Sequence, residues 1–176
     1  MITNTFKYIM AMMLESIGGN TASGKIKVKN TQGQDRYLGN RFSSFPNTVY
    51  TSVQRTVSSP GIYVGTGDTA PTANDYCLEQ MITSGISASS SSITSGLDDS
   101  GNPFVQYLFT ITNTTSSDIT IKEVGYSQYL YVSNSLNGDA VNYNTLLLDR
   151  TVLTTPVTVP ANDSAAIKYT LKTVIS

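Results

Sequence analysis

Few side chains in this chain are equipped for chemistry, and their types and spacing restrict what that chemistry could be. Histidine is absent and Cys77 is the single cysteine. That removes the usual general base for a Ser or Cys nucleophile, the commonest zinc ligand and any internal disulfide. Set between Tyr76 and Leu78, Cys77 fits a small buried apolar role better than a nucleophilic one. Gly19-Asn20-Thr21-Ala22-Ser23-Gly24-Lys25 has the spacing of a phosphate-binding loop up to its lysine, but Ile26 stands where a magnesium-binding Ser or Thr belongs. The expected order, helix before and strand after, is also the reverse of the one that aims amides and a helix dipole at phosphate. Asp98-Asp99-Ser100-Gly101-Asn102 lacks both the alternating oxygen ligands and the downstream glutamate of a calcium loop, so a turn is expected. Glu123 shares the register of Ile119 and Ile121 and is expected to be partly buried, either bonded to an arginine such as Arg150 or turned to solvent by a bulge. No second acid pairs with it in the manner of a glycosidase. No catalytic residue, cofactor or metal site is expected.

The elements that would position these groups are strands. From Ala165 to Ile175 the odd positions Ala165, Ile167, Tyr169, Leu171, Thr173 and Ile175 alternate with Ala166, Lys168, Thr170 and Lys172, the period of a half-buried strand. Val105, Tyr107, Phe109 and Ile111 form a second such face, and Leu108 interrupts its polar side, which predicts partial cover there. Further strands are expected over 119–126 and 146–153. The Ser tract within 84–95 is expected to be a polar strand paired with 104–113. Turn residues separate these segments at Thr114 to Asp118, Asn137-Gly138-Asp139 and Pro160 to Asp163. The fold class that follows is mainly β, an antiparallel β-sandwich or jelly-roll-like domain over 61–176. Residues 1–60 are expected to supply a short N-terminal helix and an extended arm. With 176 residues, 46 of them Ser or Thr, and 39% hydrophobic content, the chain is long enough for its own core.

Thr3 or Asn4 can cap a helix running to about Ser16, with Phe6, Ile9, Met10, Met13 and Leu14 along one side. Phe6, Ile9, Met10 and Met13 are therefore a candidate docking face, with burial in the domain core as the competing role. Glu15 and the shortness of the apolar run argue against a signal peptide, and no stretch approaches the length of a membrane span. Net charge is −1, so neither nucleic acid nor an anionic membrane is an expected partner. The charge is uneven: +5 over residues 1–60, −7 over 61–145 and +1 over 146–176, a distribution suited to head-to-tail pairing of copies or to neutralisation within one fold. Lys25, Lys27 and Lys29 alternate with Ile26 and Val28 as the wet face of an edge strand would. Tyr126, Tyr129, Tyr131 and Tyr143 could serve a contact surface or cross-strand packing.

Four segments in order carry a resemblance: Val64 to Thr72 continuing through Leu78-Glu79, then Ile121-Lys122-Glu123-Val124-Gly125, then Leu147 to Val152, then Pro156 to Pro160. Together they resemble a group of small structural proteins of tailed bacteriophages. The resemblance covers residues 60 to 175 and implies a β-sandwich virion component, present in copies and bound to capsid, portal or neck, or tail subunits, in a particle assembled in the bacterial cytoplasm. Within that class a receptor-contacting fibre or surface decoration touching host glycans is an alternative. Outside it, a secreted bacterial adhesion module is another.

Overall fold

The computed structural model describes residues 2–4, 6–8, 26–38, 54, 61–133 and 141–172. Eight strands run in chain order: β1 (Ile26–Lys29), β2 (Asp35–Leu38), β3 (Gly61–Gly65), β4 (Ile86–Leu97), β5 (Pro103–Asn113), β6 (Ile119–Ser133), β7 (Val141–Val159) and β8 (Ser164–Lys172). They form two antiparallel sheets packed face to face as a β-sandwich. The larger has the order β1-β2-β6-β3, with β7 along the other side of β6. The smaller has the order β4-β5-β8.

The period-two pattern does what it predicts at the C-terminus: Ala165, Ile167, Tyr169 and Leu171 turn inward and Lys168, Thr170 and Lys172 outward. On β5, Tyr107, Phe109 and Ile111 are buried. They meet Val64, Ile121, Val124, Tyr126 and Leu130 of the larger sheet in one core. The rings of Tyr107 and Tyr126 stack across the layers at 5.4 Å. Burying each such side chain contributes about 1.5–3 kcal/mol relative to exposure. Leu108 lies on the outer face between Ser92 and Lys168, where it is 37% exposed and so only partly covered.

The Ser tract is a strand, paired with β5 from Ile86 opposite Asn113 to Leu97 opposite Pro103. The segment before residue 61 contributes β1 and β2 to the larger sheet, where Tyr37 pairs with Ser133. Helical backbone appears at Asn4 and at Phe6, Lys7 and Tyr8. Thr3 caps it, accepting from the Phe6 amide at 3.4 Å. Phe6 is partly buried against the core, whereas Ile9, Met10 and Met13 and the turn at 137–139 lie outside the described residues.

A second, smaller apolar cluster sits on the far side of the larger sheet. Tyr63, Leu78 and Leu147 form it with Met81, because the segment from Thr66 to Ile82 folds back over β3. Two backbone bonds fix that return, Thr66 N to Gln80 O at 2.9 Å and Ile82 N to Val64 O at 2.9 Å. Strand β3 is thus buried on both faces, which explains its unbroken apolar run.

Candidate functional site: a buried carboxylate and guanidinium clamp

The returning segment is held by Glu123 and Arg150, which stand side by side on β6 and β7. Two bulges bracket them. Between Ile121↔Val157 and Glu123↔Val152, β7 places Leu153, Thr154, Thr155 and Pro156 opposite Lys122 alone, and between Tyr126↔Asp149 and Ser127↔Leu147 it carries Leu148 as an extra residue. Bulges re-aim side chains. Here the stretch between them sends Arg150 outward beneath the loop, while its neighbour Asp149 turns into the sandwich to meet the Tyr169 hydroxyl and, at 3.1 Å, the Thr151 hydroxyl.

Glu123 is fully buried, and both its oxygens are engaged. Oε1 accepts from the amides of Gly67 at 3.2 Å and Gln80 at 2.7 Å; Oε2 accepts from the Glu79 amide at 3.1 Å and Arg150 Nε at 2.8 Å. Arg150 donates further through Nη1 to Asp75 at 2.8 Å and through Nη2 to the Thr69 carbonyl at 3.2 Å and to Glu79 at 3.4 Å. One cation therefore faces three carboxylates, a local surplus of two negative charges that only oriented donors can offset. Thr69 supplies two of them to Glu79, from its hydroxyl at 2.7 Å and its amide at 2.8 Å. Thr72 does the same for Asp75, at 2.7 and 3.0 Å.

The ionisation follows this geometry. The Thr69 hydroxyl, then its amide, hold the Glu79 carboxyl below its ordinary value. Burial pushes Asp75 up, but the Thr72 amide, the Arg150 guanidinium and the Thr72 hydroxyl outweigh it and hold Asp75 below the usual range. For Arg150, burial works against the charge and the bonds to Asp75 and Glu123 more than restore it. Burial, then the charges of Asp75 and Glu123, push the half-buried Cys77 thiol up, the opposite of what a reactive thiolate needs. Burial takes the nearby Tyr63 phenol up to about 12.

The glycines here answer a need for space. A Cβ at Gly65 would stand 2.5 Å from Glu123 Oε1, and one at Gly67 would stand 2.6 Å from the same atom. Gly125, opposite Arg150, would put a Cβ 2.8 Å from Leu78. Each lets backbone approach the carboxylate or the loop more closely than any larger residue would allow.

Chemically, the arrangement is a clamp. The Glu123 oxygens are directed at the loop's own amides and at Arg150, which leaves them aimed at structure and not at a substrate. Of the expected features, the structure brings Glu123 and Arg150 together with Asp75, Glu79 and Thr69, which the sequence does not connect to them. Asp68, Asp75 and Glu79 with Thr69 and Thr72 crowd residues 68–79, but nothing in their spacing ties them to Arg150. The turn at 98–102 is a closed one: Asp98 accepts from the Ser100 and Asn102 amides, both at 2.9 Å, and Gly101 has φ +77°. A bond from Lys172, followed by the Asn102 amide, holds Asp98 well below the carboxylate range. Among the described residues no group of three or more His, Cys, Asp or Glu side chains is placed to hold a metal ion, and no helix is long and apolar enough to cross a membrane. Comparison with protein families, with curated proteins and with solved structures finds no match for this chain.

Proposed function

We propose that this chain is a non-enzymatic structural protein of a tailed-bacteriophage particle, assembling in multiple copies with capsid, portal or neck, or tail subunits. One observation carries the reading. The four segments on which the resemblance to such proteins rests are dispersed in sequence, yet they meet at one place. Val64 to Glu79 spans the end of β3 and most of the loop, Ile121 to Gly125 and Leu147 to Val152 hold the clamp beneath it, and Val157 pairs with Ile121 in the same ladder. Segments of the resemblance that converge on a structural clamp fit a protein selected for a rigid shape. The proposed partners are other virion proteins and further copies of the chain, with no cofactor, nucleic acid or membrane.

Tyr143, 57% exposed and tilted against Tyr129 at 6.3 Å, favours a second reading, a fibre or decoration protein that touches host glycans through aromatic faces. Protein mass spectrometry of gradient-purified particles from a culture expressing the chain tests the first. The chain is expected in the particle band at many copies per particle; particles that band without it overturn the proposal. A glycan array separates the second reading, which requires binding that Tyr143→Ala abolishes.

A further inference from the structure

The strand edges of the sandwich are treated very differently. On the larger sheet the free side of β3 is engaged by Gln54, Gln80 and Ile82, and the free side of β7 by Thr3 and Thr31. Strand β1 is only four residues long and carries the exposed Lys27 and Lys29. On the smaller sheet β8 carries Lys168 and Lys172. Short length and lysines are the usual means of keeping an edge from pairing with another chain.

Strand β4 has neither. It is 12 residues long, Ile-Ser-Ala-Ser-Ser-Ser-Ser-Ile-Thr-Ser-Gly-Leu, with no charge and no proline. Among the described residues no strand pairs with its outer side, and Ser92 to Leu97 are all exposed. A bulge at Ser90/Ser92 protects the first half. The second half runs without irregularity and presents two large apolar side chains on one face, Ile93 at 47% and Leu97 at 69% exposure.

We propose that β4 is an interface between two copies of this chain, paired antiparallel about a two-fold axis at Ser95. This inference deepens the multi-copy assembly proposed above and rests on it. The occupant is chosen by charge and register. A second β4 brings no charge to repel the first, whereas self-pairing of β1 or β8 would oppose lysines. Only with Ser95 on the axis does each Ile93 fall directly opposite the partner copy's Leu97, on the same face, so that both exposed apolar side chains find an apolar neighbour. The smaller sheets then join into one of six strands, in the order β8-β5-β4-β4-β5-β8. A two-fold contact is self-complementary and closes on itself. The dimer it makes is a building unit and not a filament.

Sedimentation velocity on the purified chain over a wide concentration range, with Ser95→Lys, with Ser95→Glu and with their equimolar mixture, tests this. The unaltered chain is expected to dimerise as its concentration rises. Each single variant places like charges opposite one another on the axis and is expected to weaken the dimer roughly tenfold or more. The mixture is expected to restore it as a heterodimer. A chain monomeric at every concentration, a dimer indifferent to both charges, or a mixture that fails to recover each overturns the proposal. Unchanged melting of the variants shows that the fold is intact. A monomeric chain that is still found in purified particles refutes the β4 interface alone. A dimer with β4 behaviour as expected, from a chain absent from particles, refutes the particle role alone.

Discussion

The loop clamp and the β4 edge handle polar groups in opposite ways. Around Arg150, the buried guanidinium and the buried Glu123 carboxylate are matched donor by donor, and the loop adds the partly buried Asp75 and the exposed Glu79. Along β4 there is no charge at all, and hydroxyl after hydroxyl stands in water. Removing charges from water is costly and is repaid only by close geometry, so the clamp tolerates almost no change. An exposed strand of Ser and Thr makes few demands of its own, and its sequence is free to answer to something outside the fold. The difference teaches where shape is fixed and where contact can be varied.

The contrast breaks most severely at Arg150. Arg150→Met leaves Glu123 buried without its cation and is expected to cost about 3–5 kcal/mol, read as a fall in the urea midpoint. Glu123→Gln is expected to hurt comparably, because a neutral amide oxygen replaces only part of the acceptor set used by Gly67, Glu79, Gln80 and Arg150. Gly67→Ala drives a methyl toward Glu123 and is expected to cost about 1–3 kcal/mol by overpacking; a loss below 0.5 kcal/mol would mean that the loop can shift. Acid provides a milder probe. Asp75 and Glu79 have folded-state values below their ordinary 3.8 and 4.5, so their stabilising contribution is complete above those values and is lost as pH falls through the lower folded ones. Amide exchange in residues 66–80 is therefore expected to rise below about pH 4 before β5 and β8 loosen; simultaneous loss would contradict a local latch. At the other extreme, Ser92→Lys on β4 is expected to change monomer stability by less than about 0.5 kcal/mol, and a larger loss would show that the edge is needed by the fold itself.

Strands β5 and β8 were legible because alternation is undisturbed along them, and β4 because turns bracket a tract too β-compatible to be a linker. Burial of Glu123 and its bond to Arg150 could be anticipated, since one acid in an apolar register needs a cation. The full lengths of β6 and β7 could not. Expected to stop at Tyr126 and Leu153, they run on to Ser133 and Val159. Bulges reset the period twice, Pro156 mimics a strand end, and Ser127 and Gln128 are polar residues that happen to be buried. The role of residues 66–82 was equally hidden. Its meaning lies in amides pointing at Glu123, and amides leave no mark on a sequence. Helical backbone in the described N-terminal residues is brief, and Thr3, expected only as its cap, does more by reaching β7.

That reach has a consequence for the order of events in folding. Thr3 is fully buried; its hydroxyl donates to the carbonyls of Leu147 at 2.9 Å and Leu148 at 3.2 Å, and its amide donates to Leu148 at 3.1 Å. The Leu148 position is the extra residue of a bulge, whose carbonyls the ladder leaves open. The partners stand 144 and 145 residues apart in sequence. On a ribosome that adds about 5–20 residues per second, the segment around Thr3 leaves the exit tunnel seconds before the strand that receives it exists. Its residues must wait for β7, whose open carbonyls receive them.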